Sequence, residues 1–402
     1  IACFALLSIW LEYNLKFKLS LISVSSMVKN VFLCLEPWRS WRLGGEKRTT
    51  SNLRKNTMPI QFAPATDLRA PDVCVIAEIG VNHDGDVAKA LSLTRLAWQA
   101  GADAVKLQFF DPDLLLSKQA VLANYQKNQG AVDVHAMLKQ LQLELKAVLA
   151  VRDLAGELGI GFIVTPFSLE HVPVLDEIGV DAIKIASPDV VNLPLLEACC
   201  SLGKPMLVST GTADLEEIGP AADLLQQCDI ACLLHCVSSY PTPIEEASLG
   251  AISAMIHAFK LPVGYSDHTQ SLHTGALAVA AGACVIEKHI THDVDAPGPD
   301  HAASMPPDLF VRYVDQIRDT QLMLGKRTKA VSDVEREVRR ISRQSVCAAC
   351  DLSAGQKLTR EHLTIRRPGT GIAAAFLPQV IGRTMVCDVK TGNLLNESDL
   401  SH

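Results

Sequence analysis

An alternation of two sequence textures between Val73 and about Leu324 constrains the fold more than any other feature of the chain. Short apolar runs rich in β-branched residues, typical of buried strands, alternate with segments in which apolar residues recur every three or four positions, as on one face of a helix. The eight short runs are VCVIAEIG, AVKLQFF, GFIVTPF, AIKIAS, PMLVSTG, ACLLHCVSSY, PVGYSDHT and CVIEKHIT. Eight strand–helix units within about 250 residues predict an α/β fold, a (β/α)₈ TIM barrel.

Glycines at the ends of the helical segments support the barrel, and the competing fold lacks its marker. Glycine closes a segment just before the next strand at Gly101, Gly159, Gly179, Gly203 and Gly282. That placement is typical of a helix that ends and leads into a strand. An open doubly wound sheet usually has G-x-G-x-x-G after its first strand, whereas residues 78–85 are EIGVNHDG. We therefore favour the closed barrel.

The first 57 residues differ from the rest of the chain. They carry nine Lys or Arg and three Asp or Glu, or +6, while the whole chain is at -7, so residues 58–402 are at -13. The apolar stretch at the start is shorter than the ~20 residues of a membrane span, and positive charge does not precede it as in a secretory signal. We expect residues 1–57 to be a disordered or mis-translated extension and the functional chain to begin at Met58.

The remaining chain divides into three predicted parts. Residues 58–324 form the barrel domain. Residues 325–344 hold seven Lys or Arg and three Asp or Glu, which is typical of a charged, solvated linker or short helix. Residues 345–402 contain short apolar runs separated by turn signals, which predict a small, mostly β second domain.

Charge and cysteine content exclude several function classes. An acidic body argues against nucleic acid or an anionic membrane as a partner. The twelve cysteines lie mostly within apolar runs of a long chain, which favours buried free thiols, and hence a cytoplasmic protein, over a disulfide scaffold. The one C-x-x-C, Cys347 to Cys350, has no second pair at zinc-site spacing and is a weak sign of a metal or redox site.

Polar residues occupy the end of nearly every predicted strand, which is the edge where barrel enzymes carry their active sites. They are Glu78, Lys106, Gln108, Thr165, Lys184, Ser187, Ser209, His235, Tyr240, Ser266, His268, Glu287 and His289. A single residue of this kind is usually a hydrogen-bonded core group, but a set at equivalent positions predicts an active site. Two lysines and several hydroxyls at one mouth suit a phosphate or carboxylate ligand.

Three alternatives remain open for these residues. Lys106 could instead form an ion pair with a neighbouring carboxylate such as Glu78, which we rank second because Lys184 faces the same mouth. The histidines that end the last two strands, His268 and His289, could share one divalent ion in a site open to substrate, or hydrogen-bond to each other. A Schiff-base keto-acid aldolase would need Lys184, because no lysine lies on the sixth predicted strand.

Nine short motifs follow one another along the barrel, and a tenth lies in the second domain. They are EIGVNHDG (78–85), VKLQ (105–108), TPF (165–167), KIAS (184–187), STG (209–211), SSYPTP (238–243), SDHT (266–269), EKHIT (287–291), PGPD (297–300) and RRPGTG (366–371). In this order they resemble the bacterial N-acetylneuraminate (sialic acid) synthase family, whose barrel is followed by an antifreeze-like (SAF, β-clip) domain. The resemblance implies a transferase that condenses phosphoenolpyruvate with N-acetylmannosamine, or a related 2-acetamido sugar, to a nine-carbon 2-keto sugar acid and phosphate.

The resemblance also implies a role for each matching residue. His268 and His289 would hold Mn²⁺, with Mg²⁺ or Co²⁺ as alternatives, and would act in catalysis with Glu78 and Asp300. The implied phosphoenolpyruvate ligands are Lys106, Thr165, Lys184, Ser187, Ser209 and Ser266. The implied sugar ligands are Gln108, Asp189, Ser238, Tyr240, Asp300 and Arg367. Arg367 would reach the site from the second domain of the partner subunit in a domain-swapped homodimer.

Two departures from the family's pattern concern the sugar. Residues 187–189 are Ser-Pro-Asp where the family usually has Ser-Gly-Glu or Ser-Gly-Asp, and Ser238 stands where some members have Asn. The synthases of legionaminic and pseudaminic acids share the same motifs and are the alternative. A non-catalytic carbohydrate-binding protein is disfavoured, because a degenerate barrel would have lost some of the two histidines and two lysines.

Overall fold

The predicted barrel is present and closed. The computed structural model describes residues 72–120, 133–326 and 328–401. Eight parallel strands pair in chain order, and the eighth pairs with the first. They are β1 (Cys74–Gly80), β2 (Ala104–Phe109), β3 (Gly161–Pro166), β4 (Ala182–Ile185), β5 (Met206–Ser209), β6 (Ala231–His235), β7 (Val263–Asp267) and β8 (Val285–His289). Each strand lies within one of the eight short apolar runs.

Helices connect the strands and cover the outside of the barrel. They are α1 (Val87–Gln99), α2 (Pro112–Leu115), α3 (Val134–Leu141), α4 (Leu145–Leu158), α5 (Val172–Ile178), α6 (Leu193–Cys200), α7 (Leu215–Leu225), α8 (Gly250–Phe259), α9 (Thr274–Ala280) and α10 (Pro307–Leu324). Among the described residues, no helix has the length and apolar character that a membrane span needs. The predicted glycine caps are confirmed, since all five glycines have positive φ, from 63° at Gly203 to 114° at Gly282.

Side-chain alternation along the strands separates an apolar floor from a polar mouth. On β1, Ile76 faces the barrel interior two residues before Glu78, and it belongs to a fully buried cluster with Ile163, Leu207 and Leu234. This cluster fills the lower part of the barrel. The interior positions at the carboxyl ends of the strands are polar, so they line a mouth above a packed floor.

The second domain follows helix α11 (Arg336–Ser342) and has its own small core. Its regular strands, β9 (Ser345–Ala348) and β10 (Leu363–Arg366), pair antiparallel, and α12 (Leu377–Val380) is its only α-helix among the described residues. Its buried apolar residues include Val346, Leu358, Leu363, Met385, Leu395 and Leu400. Single β-bridges, such as Leu352 with Val389, join its remaining loops. The prediction of a β domain is confirmed, but it contains more bridged loop than strand.

The expected N-terminal extension, residues 1–57, lies outside the described residues. The ten described cysteines are free; Cys347 is buried whereas Cys350 is exposed, so this C-x-x-C pair does not point to a common site.

Candidate active site

The mouth of the barrel brings most of the predicted polar residues together in a buried position. At most 9% of the surface of each of these residues is exposed: Glu78, Lys106, Thr165, Lys184, Ser187, Ser209, Ser266, His268, Glu287, His289 and Asp300. Burying so many ionisable groups costs free energy unless they pair with one another or with a ligand. Such a cluster is therefore a strong candidate for a functional site.

Lysines and carboxylates form a connected cluster at the centre. Glu78 lies between Lys106 and His289 in the strand register. The Lys106 ammonium forms an ion pair with Glu78, donates a 3.1 Å hydrogen bond to Thr165 Oγ1 and lies 3.8 Å from Glu287 Oε2. Lys184 Nζ lies 3.4 Å from Glu287 Oε1 on the other side. The alternative expected for Lys106, an ion pair with Glu78, is thus present, and both lysines still face one mouth.

Burial and the neighbouring charges shift the acid–base behaviour of this cluster. Burial raises the pKa of Glu78 to about 7, although Lys106 opposes the shift and Glu287 adds to it. Burial alone would raise the pKa of Glu287 too, but Lys106 and Lys184 outweigh it and hold that pKa below its usual value. Burial lowers the pKa of Lys184. One carboxylate of the pair thus stays ionised while the other can gain or lose a proton near neutrality.

Hydroxyl groups surround the same cluster. Ser266 Oγ donates a 2.9 Å hydrogen bond to Glu287 Oε1, and Ser187 Oγ accepts one of 3.1 Å from the Gly211 amide. Ser209 Oγ is buried without a hydrogen-bond partner among the described residues. A β-carbon on Gly211 would overlap Ser238 Oγ and lie 2.9 Å from Ser187 Oγ and Cys236 Sγ, so a larger residue there would displace these side chains. Together these groups offer donors to an anion beside the two lysines.

The two histidines lie side by side at the ends of neighbouring strands. Their ring centroids are 5.6 Å apart, and the centroid of the Tyr240 ring lies 4.2 Å from that of His268 with the planes tilted by 35°. His268 Nδ1 donates to Val237 O at 2.8 Å, which leaves Nε2 unprotonated, 3.4 Å from Ser266 Oγ. His289 Nδ1 is buried without a hydrogen-bond partner among the described residues and lies 3.4 Å from Asp300 Oδ2. The two imidazoles therefore do not bind each other.

This pair fits a divalent cation in an open site. Burial lowers the pKa of His268 to about 4 and lowers that of His289 as well, so both rings are neutral, which is the form that binds a metal. No cluster of three or more His, Cys, Asp or Glu with metal-ligand geometry occurs in the described ranges. Two imidazoles alone would leave several coordination positions for substrate and water.

Four of the predicted sugar residues lie near these groups: Gln108, Ser238, Tyr240 and Asp300. A β-carbon on Gly80 would lie 3.2 Å from both Gln108 Nε2 and Asp300 Oδ2 and 2.8 Å from Glu78 Oε1, so all three side chains surround Gly80. Burial raises the pKa of Asp300 to about 6. Half-buried Asp189 accepts a 3.2 Å hydrogen bond from Asn192, and Ser238 and Tyr240 are also half-buried. Arg367 is exposed in the loop after β10 of the second domain, and its role stays a prediction.

The residue roles inferred from the sequence omitted two features of this mouth. Glu287 was predicted to lie at a strand end but was given no role, although it contacts both lysines and Ser266. Asp267 and Lys288, each one residue before a histidine, are entirely buried and had no predicted role. The sequence does contain a signal of this pair. A charged residue next to an inward-facing strand residue must point its side chain into the apolar helix layer, where it needs a partner.

Comparison with known proteins identifies the family. A model of the NeuB family matches residues 93–329, and a model of the SAF domain matches residues 343–401. The chain belongs to the NeuB family. Its sequence is similar to two N,N'-diacetyllegionaminic acid synthases over 80% of this chain. The one from Legionella pneumophila is 40% identical over 92% of its own length. The one from Campylobacter jejuni is 39% identical over 98%.

A solved structure gives the same assignment. The N-acetylneuraminic acid (sialic acid) synthetase of Leptospira borgpetersenii is 32% identical, with a TM-score of 0.62 over 69% of this chain and 95% of that one. The family expected from the ten motifs is therefore confirmed, as are the TIM barrel and the appended SAF domain. As a NeuB family member with these relatives, the chain is a transferase, a sugar acid synthase.

Proposed function

We propose that this NeuB family enzyme condenses phosphoenolpyruvate with a di-N-acetylated aldose to give phosphate and a nine-carbon 2-keto sugar acid of the N,N'-diacetyllegionaminate type. The observation that carries the reaction class is the mouth itself, where two lysines, buried hydroxyls and two neutral imidazoles meet. Identity of 40% and 39% to two N,N'-diacetyllegionaminic acid synthases, against 32% to a sialic acid synthetase, favours this sugar over N-acetylmannosamine. The main expectation from the sequence thus gives way to its alternative.

The name of the product class defines the acceptor sugar. N,N'-diacetyllegionaminic acid carries two acetamido groups, and phosphoenolpyruvate contributes only three carbons without nitrogen. The acceptor must therefore be a six-carbon aldose that already holds both acetamido groups. Ser238, which is shorter than the Asn of some family members, lies beside Ser187 at the predicted sugar side, since both hydroxyls would contact a β-carbon on Gly211.

The residues of the mouth divide the work of the reaction. Lys106, Lys184 and the hydroxyls would bind the phosphate and carboxylate of phosphoenolpyruvate, whose charges replace the contacts these lysines make with Glu78 and Glu287. Carbon C3 of phosphoenolpyruvate attacks the open-chain aldehyde and leaves a cation at C2. Glu78 would accept a proton from the water that adds there, and the tetrahedral intermediate then expels phosphate, which the lysines stabilise.

His268 and His289 would hold a divalent ion, with Mn²⁺ as the first candidate and Mg²⁺ or Co²⁺ as alternatives. When bound, this ion supplies Lewis-acid polarisation of the aldehyde oxygen. Asp300, whose Oδ2 lies 3.4 Å from His289 Nδ1, would donate the proton that converts that oxygen into a hydroxyl. We also propose a symmetric homodimer in which the partner subunit's Arg367 covers the mouth and contacts the acetamido end of the sugar.

Phosphate release tests this proposal. Purified enzyme is incubated with phosphoenolpyruvate, Mn²⁺ and one sugar from a panel of N-acetylmannosamine and 2,4-diacetamido hexoses. We expect the highest kcat/KM with a diacetamido sugar, and the nine-carbon product is identified by mass spectrometry. A preference for N-acetylmannosamine would instead assign the enzyme to the sialic acid synthases. Absence of phosphate release with every 2-acetamido sugar would contradict the synthase assignment.

The acid–base role of Glu78 predicts a pH dependence. Because the pKa of Glu78 is raised to about 7, the carboxyl is protonated at pH 6 and ionised at pH 8. Glu78 must be ionised to accept a proton, so kcat/KM should rise about 10-fold per pH unit below 7 and level off above it. The profile is measured by initial rates of phosphate release with saturating Mn²⁺. In Glu78→Gln the residual rate should lose this rise, and a flat wild-type profile from pH 6 to 8 would contradict the role.

The tight fit around Gly211 predicts a second effect. Alanine there would push Ser187 and Ser238 out of place, because its β-carbon would overlap one hydroxyl and crowd the other. We expect Gly211→Ala to raise the KM for phosphoenolpyruvate by about 10-fold, as a donor to the bound anion is displaced. Gly219→Ala on α7 is the matched control, since nothing lies within 4 Å of a β-carbon there. Equal KM values in both variants would show that Ser187 does not bind the anion.

A further inference from the structure

The structure contains a fully buried ion pair directly behind the two histidines. Asp267 and Lys288 are partners in the register of β7 and β8, and each precedes one histidine in sequence. Successive residues of a strand point to opposite faces, so the histidines face the mouth while Asp267 and Lys288 face the helical layer. Both side chains are 0% exposed. The mechanism proposed above uses neither of them.

The ammonium of Lys288 contacts the backbone on both sides of His268. Its Nζ lies 3.6 Å from Asp267 Oδ2, donates to Asp267 O at 3.2 Å and donates to Thr269 O. The two carbonyl groups belong to the residues immediately before and after His268. Lys288 immediately precedes His289 in the chain. Its ammonium therefore links the backbone of His268 to the strand that carries His289.

Asp267 is held from the other side by four donors. Its Oδ2 accepts hydrogen bonds of 2.6 Å from Thr274 and 2.7 Å from Tyr313, and its Oδ1 accepts one of 2.8 Å from the Thr269 amide. A longer one, of 3.4 Å, comes from the Tyr265 hydroxyl. Thr274 lies on α9 and Tyr313 on α10. The carboxylate thereby anchors the end of β7 to the two helices that follow β7 and β8.

Folding stability alone does not account for a pair of this kind. Apolar residues of similar size usually replace a buried ion pair without loss of stability, whereas they cannot donate to carbonyl groups. The ion pair supplies directional hydrogen bonds to the backbone on either side of His268. A methionine–leucine pair would lack these bonds. Residues that orient metal-binding histidines through bonds of this kind commonly change metal affinity 10- to 100-fold when they are removed.

We propose that Lys288 and Asp267 are positioning residues that set the separation and orientation of His268 and His289 for a shared divalent cation. This inference rests on the proposed metal-dependent synthase function. It adds to that function a role for two residues that touch neither substrate nor metal. Loss of the pair should weaken cation binding more than it weakens the fold.

The test uses the full-length double variant Asp267→Asn/Lys288→Met, which leaves no uncompensated buried charge. Ile317→Ala is the control, since Ile317 is buried on α10 near Tyr313 and has no polar contact with the pair. Mn²⁺ affinity is measured by electron paramagnetic resonance, thermal stability by calorimetry, and backbone protection of residues 267–270 by hydrogen exchange in metal-free protein. Phosphate release is measured at increasing Mn²⁺.

We expect the double variant to bind Mn²⁺ about 10-fold or more weakly and to exchange faster at residues 267–270, at a Tm no lower than that of Ile317→Ala. Excess Mn²⁺ should restore part of its kcat, which a general structural defect would not allow. Tyr313→Phe should shift both readouts in the same direction by a smaller factor. Wild-type affinity and protection in the double variant would overturn the inference.

The outcomes separate this inference from the proposed function. A wild-type enzyme that turns over with Mn²⁺, together with a double variant of unchanged affinity, removes the positioning role alone. A wild-type enzyme that releases no phosphate removes the proposed function, while faster exchange at residues 267–270 in the double variant would still establish that the pair fixes the His268 segment.

Discussion

Replacing His268 or His289 with alanine is expected to abolish Mn²⁺ binding and to lower phosphate release at least 1000-fold, on the order of the several kcal/mol that a Lewis acid supplies. Each imidazole is buried and neutral, and the described residues contain no group of three or more His, Cys, Asp or Glu that could hold the ion without it. One histidine alone cannot hold a labile cation in an open site.

The control for this experiment is His257→Ala. His257 is an exposed histidine on α8 whose ring contacts Ser253 O, so its loss should change neither metal binding nor turnover. Metal affinity is followed by electron paramagnetic resonance, and folding of each variant by circular dichroism. Full activity of the wild-type enzyme after chelation and dialysis would refute a metal role for this pair.

The barrel was predictable because its sequence pattern follows from local physics. Each strand buries both faces, so the runs around Ile76, Ile183 and Val285 are apolar almost throughout, and the longer helices, such as α1 and α4, bury residues at a spacing of three or four. Glycines with positive φ at the helix ends, such as Gly159 and Gly179, need no tertiary information. The carboxyl ends of parallel strands meet at one edge, which is why the positions of Lys106 and His289 in sequence predicted their meeting in space.

Pairing within the site was less predictable. The sequence shows that Glu78, Lys106, Lys184 and Glu287 end strands, but the partner of each depends on side-chain reach across the barrel, which sequence spacing does not give. Lys106 forms an ion pair with Glu78, and Glu287 is shared between two lysines. Asp267 faces away from the mouth, and strand-end spacing does not reveal its partners, because Thr274 and Tyr313 come from α9 and α10.

The second domain was harder to predict for a different reason. Its two regular strands have four residues each, and its remaining loops are joined by single bridges such as Lys357 with Thr384. A bridge of one residue has no alternation that a sequence pattern could reveal. The turn residues and short apolar runs therefore indicated a small β domain without its architecture.

Arg367 connects this domain to the proposed mechanism, and its loss should act on the sugar. The side chain is exposed at the start of the Arg-Pro-Gly-Thr-Gly loop and presents a planar, permanently charged donor, which lysine replaces poorly. We expect Arg367→Ala to raise the KM for the acceptor sugar more than 10-fold with little change in the KM for phosphoenolpyruvate. Size-exclusion chromatography with light scattering checks that the oligomer persists.

Mixing Arg367→Ala with His268→Ala should restore activity. The sugar concentration is chosen so that neither variant alone has detectable activity. If the partner subunit's Arg367 completes each site, every heterodimer has one site with both defects and one site with neither. Half of the dimers are heterodimers after random exchange, so about one quarter of wild-type activity should return. Mixing His268→Ala with Lys184→Met is the control, because both defects lie in the barrel and no site is repaired. Silence of the first mixture after confirmed subunit exchange would place Arg367 within its own chain's site or outside the reaction.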